Sequence, residues 1–271
     1  MVCGMPSFAV SIAILGLVQA ALVALPAPRS LPLLDRLRSR WWALIPALSI
    51  VVVVAAIELD SGSATALAYL ALVAVPPLAA LALGLLVRGS RPAWALAALP
   101  LFAIAWAAKG SLAGEAAATA LIALACISLG RLLVSVVPGF WLRLGVYAMA
   151  AIDTWFVASD LLQGPNAVLS IAAPAGGLPR LQAVHFGNAQ MGFGDLFIAA
   201  LVGCLLAKPP ADGPHAGHMD TFQARRQWVA AGLVAVLALA FDLLFFAVDE
   251  LPATVPVAVA LALSQRRAAQ L

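Results

Sequence analysis

The stretch NAQMGFGDLFIAALVG, residues 188–203, decides how the chain is read. Gly192 and Gly194 lead into a carboxylate, Asp195, and an almost wholly apolar run follows. A charge at the mouth of an apolar helix needs a physical reason. One reason is local: an acid in a first helical turn meets the positive end of the helix dipole. The surroundings of the stretch supply a second.

Of the 271 residues, 64% are hydrophobic and 10% are charged. Soluble domains are roughly half apolar and about a quarter charged. A water-soluble core has no use for this much apolar surface, so the composition predicts an all-α polytopic membrane protein. The net charge of +3 is small, and no nucleic-acid partner is expected. Cys3, Cys126 and Cys204 lie in or beside apolar segments and suit packing better than zinc or disulfides. The run after Met1 has no basic start and no clear cleavage site, so it reads as a retained helix. No cofactor and no metal is expected. His215 and His218, in a polar stretch with no further ligand set, read as a solvated loop.

Apolar runs give about nine candidate spans, at 7–25, 41–57, 64–87, 93–108, 116–137, 141–162, 191–207, 228–247 and 251–264. The fifth and sixth are poorly separated by GRLLVSVVPGFWLRLG. The chain divides into an N-terminal bundle of about five helices, 1–140, and a region of four, 141–271. With the first loop inside, only Lys109 and Arg180 fall outside, leaving thirteen of the fifteen Lys and Arg residues inside. The N-terminus is therefore expected outside and the C-terminus in the cytoplasm. Much Ala and little Lys point to a prokaryotic plasma membrane. The outer segment 163–190 is too apolar for a free linker and is expected to lie on the membrane or pair as strands.

Acidic side chains inside apolar spans are costly, so each invites an explanation. Asp160 and Asp242 lie towards the outer ends of their spans and read as water-facing or packing groups. Asp153, in VYAMAAIDTWFVAS, is placed two to three turns below the outer end of the sixth span. Asp195 is placed about one turn below the outer end of the seventh. Two antiparallel spans would bring these carboxylates to one depth. A close pair shares a proton, so one member activates water and the other acts as acid. Gly192 and Gly194 would let another backbone approach, or let the helix start with unusual dihedrals.

These residues resemble the GxGD intramembrane aspartyl proteases, the presenilin and signal peptide peptidase family. MGFGDLFIAALVG is similar to the seventh-helix motif, AIDTWFVAS to the sixth-helix motif, and LPATVPVAV to the ninth-helix PAL motif. The first five spans show no motif. The resemblance implies Asp153 and Asp195 as catalytic residues. It implies substrate contacts at Gly192, Phe193, Gly194, Pro252, Ala253 and Thr254. It implies as substrate a transmembrane peptide or membrane protein, such as a leftover signal peptide, met within the lipid bilayer. LPRLQAVHF, residues 178–186, is similar to the segment before the seventh helix of signal peptide peptidases. Two departures stand out: Ile152 replaces the usual Tyr, and Thr254 replaces the Leu of PAL. Asp160, one heptad beyond Asp153, is the alternative first aspartate. Alternative functions are a prepilin-peptidase-like protease, against which Phe197 replaces the usual Lys, and a proton-coupled transporter or channel relaying protons through Asp153, Asp195 and Asp242.

Overall fold

The structure is a computed structural model that describes residues 6–29, 31, 34, 36–44, 48, 52, 62–159, 172, 174, 177–208, 221–246 and 252–269. It is mostly helical. In chain order the helices are α1 (Phe8–Ala24), α2 (Gly62–Leu81), α3 (Ala98–Ala107), α4 (Leu112–Val136), α5 (Gly139–Ala158), α6 (Phe193–Leu206), α7 (Thr221–Asp242) and α8 (Val255–Ala269). A π-helical segment, Ala82–Leu86, continues α2, and a 3-10 turn, Pro92–Ala97, leads into α3. Among the described residues, three helical stretches are long and apolar enough to cross a membrane: Gly62–Leu86, Leu112–Val136 and Gln223–Asp242. Phe8–Ala24, Pro92–Ala107, Phe193–Leu206 and Val255–Gln265 are apolar but shorter. Most of the expected second span, 41–57, lies outside the described residues, as do Cys3, Asp160, His215 and His218.

The poorly separated fifth and sixth spans are two helices. Val137 leaves the helical conformation and Pro138, at φ −61° and ψ 138°, stands immediately before α5. Proline suits a helix entry because it has no N–H to leave unpaired. The expected seventh span begins later than its apolar run. Residues 189–192 form a strand, and α6 starts only at Phe193.

At the centre, α4 and α6 pack against each other, with α1 on the other side of α6. Glycine permits the closest approaches. A Cβ on Gly203 would stand 2.5 Å from the Leu22 carbonyl oxygen and 2.8 Å from Val23 Cα. One on Gly130 would meet the backbone of Leu201 at 3.2 Å. Small residues are what lets helix backbones meet in an apolar medium, where the attraction is van der Waals contact.

Polar side chains tie the helix ends together. Gln227 of α7 is fully buried, and its Nε2 donates to the Val23 carbonyl at 2.9 Å and the Pro26 carbonyl at 3.1 Å. Its Oε1 accepts from Arg88, whose Nε also donates to the Ala24 carbonyl at 3.0 Å. The C-terminal carbonyls of α1, which no intrahelical amide can reach, are satisfied in this way. Cys126 and Cys204 are free and buried, and Cys204 Sγ donates to the Ile127 carbonyl.

A two-stranded antiparallel ribbon precedes α6: β1 (Ala183–Phe186) and β2 (Ala189–Gly192). The register pairs Val184 with Met191 and Phe186 with Ala189. Gly187 takes φ 57°, which a tight hairpin needs at its first loop position. A side chain there would also collide with Ser11 and Pro6. The turn is held from two sides. Gly187 N–H donates to Glu115 Oε2 at 2.7 Å, while Asn188 reaches Ser11 Oγ and the Pro6 carbonyl. The N-terminal ends of α1 and α4 thus fix the hairpin, and the hairpin fixes the start of α6.

Candidate functional site

Asp195 is the third residue of α6. Its Oδ2 accepts the Gly192 N–H at 3.2 Å, so the carboxylate closes back over the helix entry. This satisfies an amide left orphaned at a helix start. The local reason for an acid here is therefore met, and it leaves the second carboxylate oxygen for other work. Gly192 has φ −67° and ψ 149°, and Gly194 is not among the positive-φ glycines. The expectation of unusual dihedrals is thus corrected: an ordinary entry into the helix suffices. What these glycines provide is room. A Cβ on Gly192 would press on Asp195 Oδ2 at 3.1 Å, and one on Gly194 would project into open space.

Asp153 lies on α5, whose side chains are mostly exposed or half-buried. Phe140 and Trp155 are 70% and 67% exposed, and only Leu142, Val146 and Ala150 are buried. Those three recur every four residues and form one stripe. Asp153, three residues beyond Ala150, continues the stripe and so faces inward. The helix ends at Ala158, five residues past Asp153. Asp153 is therefore about 7–8 Å from the helix end, and residues 160–162 at the end of the expected span lie outside the described residues.

The third component comes from the entry to α8. Pro252 and Thr254 are buried and Ala253 is half-buried. Thr254 Oγ1 donates to Asp153 Oδ2 at 2.6 Å, and the Thr254 N–H lies 3.4 Å from the same oxygen. The Ala253 carbonyl accepts from Nε2 of Gln19, a buried residue of α1, at 3.2 Å. Ile152, next to Asp153 on α5, and Phe197, two residues past Asp195 on α6, line one groove, so the two helices meet near their carboxylates.

Two hydrogen-bonded groups result, Asp153 with Thr254 and Asp195 with Gly192. Phe193 is half-buried in the first turn of α6. Beneath the pair, Met149, Ile152, Phe197 and Leu201 line an apolar groove between α5 and α6. Asp242 is the last residue of α7. Its Oδ2 is buried, has no hydrogen-bond partner among the described residues, and faces α1 near Gly16. Among the described residues no group of three or more His, Cys, Asp or Glu could hold a metal ion.

Gln19, Gln227 and Glu115 were not singled out by the sequence reading. The signal was present for the two glutamines. An amide inside an apolar run costs free energy unless it is hydrogen-bonded, which is the same argument that drew attention to the aspartates. No family model, curated protein or solved structure matches the chain.

Proposed function

We propose that the protein is an intramembrane aspartyl endopeptidase that cleaves transmembrane segments or leftover signal peptides. One observation carries the reading: Asp153, hydrogen-bonded by Thr254, and Asp195 lie on two different helices that line one groove, beside its lining residues Ile152 and Phe197. On this reading the pair shares one proton. The ionised carboxylate takes a proton from water as the water oxygen bonds to the scissile carbonyl carbon. The protonated carboxyl donates to the departing nitrogen as the C–N bond breaks. The open space at Gly194 admits an unwound stretch of substrate backbone. The ribbon supports the same reading, since each strand of a two-stranded sheet keeps one outer edge on which an extended peptide could add.

The proposal includes nine spans of presenilin-like arrangement, with the N-terminus outside and the C-terminus in the cytoplasm, in a prokaryotic plasma membrane. The Lys and Arg distribution supports that orientation. Cleavage of a transmembrane reporter by the purified protein, lost on Asp153→Asn or Asp195→Asn, tests the function.

A further inference from the structure

Thr254 differs from the Leu that the resemblance leads one to expect, and its difference is a hydroxyl. The hydroxyl is fully enclosed, with 2% of the residue exposed. Thr immediately before a helix commonly caps it through its side-chain oxygen. Here the hydroxyl hydrogen is directed away from α8 and onto Asp153 Oδ2. α8 also has Pro256 at its second position, so one of the amides that a capping oxygen would take does not exist.

The segment that carries Thr254 is held from behind. Gln19 is 1% exposed, and its Nε2 donates to the carbonyl of the preceding residue, Ala253. A chain of contacts therefore runs from α1, through Gln19 and the Ala253 peptide, to Thr254 and Asp153. It matters because α5 buries only one narrow stripe, Leu142, Val146 and Ala150, and Asp153 continues that stripe.

We infer that Thr254, braced by Gln19, is the positioning residue for Asp153, fixing Oδ2 so that Oδ1 is presented towards Asp195 and the reacting water. The inference rests on the protease reading. Thr254 touches no reacting atom; it acts through the carboxylate that it holds.

The test uses the full-length protein in lipid with a transmembrane reporter. Thr254→Val keeps shape and removes the hydroxyl, and should lower kcat about ten- to hundred-fold, as expected for a hydrogen bond to a charged group. KM should change little. Thr254→Ser should restore most of kcat. Gln19→Leu should lower kcat in the same sense, and combining it with Thr254→Val should cost less than the product of the two, because they act in one chain. Wild-type kcat in Thr254→Val, or a loss confined to KM, overturns the inference while leaving the protease reading intact. Undiminished cleavage in Asp195→Asn overturns the protease reading itself. A second readout does not need turnover. In protein carrying 13C-labelled aspartate, Thr254→Val should shift one carboxyl infrared band that Thr254→Ser leaves in place. An unchanged spectrum also overturns the inference.

Discussion

The Glu115 carboxylate, in the first turn of α4, accepts the Gly187 amide of the hairpin turn at 2.7 Å. The two residues are 72 positions apart. The bond sets the hairpin against the helix that packs on α6, and so sets where α6 begins. Glu115→Ala should loosen residues 183–192 and reduce cleavage several-fold. Glu115→Gln, which keeps an acceptor oxygen, should do less. Amide hydrogen exchange is the check: protection at Gly187 and in both strands should fall in Glu115→Ala. Unchanged protection would show that the turn is held by Ser11 and Pro6 alone.

His185 gives the hairpin a pH dependence. Burial lowers its pKa from the ordinary 6.5, the positive Arg180 lowers it further, and Glu115 opposes both. A lowered value means that the folded state prefers neutral imidazole, and that the unfolded state binds more protons between the two values. The stabilisation is therefore complete above about pH 6.5 and is lost as pH falls through the folded value. Hydrogen exchange in residues 183–192 should accelerate on acidification, and His185→Gln should remove that component. A hairpin that tightened on acidification would reverse the sign.

Parts of this arrangement were legible in the sequence because a charge stands out against an apolar background. Asp153 and Asp195 were visible for that reason, and they lie on two helices that line one groove. The hairpin was half-legible. Its Gly187–Asn188 dipeptide is a turn signal, yet Met191 and Gly192 at the end of β2 run on into the apolar helix without a polar break, so the start of α6 was placed two residues too early. What a single sequence does not display is which distant polar groups meet. Glu115 with Gly187, Gln19 with Ala253 and Thr254 with Asp153 are pairings between separate elements. No local period or spacing encodes them.

The glycines at the helix crossings should not be interchangeable. Gly203→Val forces a side chain against the α1 backbone at Leu22 and Val23. It should destabilise the protein by about 1–3 kcal/mol or more, as overpacking does. Gly232, whose added Cβ would meet nothing within 4 Å, is the control. Gly232→Ala should be neutral or slightly stabilising, since Ala is the better helix former. Thermal unfolding in lipid compares them, and equal midpoints would contradict the close contact of α1 and α6.

The proposed orientation has its own check. Tags after Arg40, within 212–218 and at Leu271 should read cytoplasmic, and one near Asn166 external. An external reading at Leu271 would contradict the nine-span proposal.

The central claim is that Asp153 and Asp195 act as one catalytic unit. The most direct measurement is the rate at which purified protein, in lipid, cleaves a transmembrane reporter, compared across four proteins: wild type, Asp153→Asn, Asp195→Asn and the double variant. Each single change should lower the rate by on the order of 10³-fold or more. The double change should add little, because residues that work as a unit are not additive. Asp242→Asn, at the separate carboxylate, should retain most of the rate. Cleavage that survives either single change, or losses in the double variant that multiply, would contradict the account.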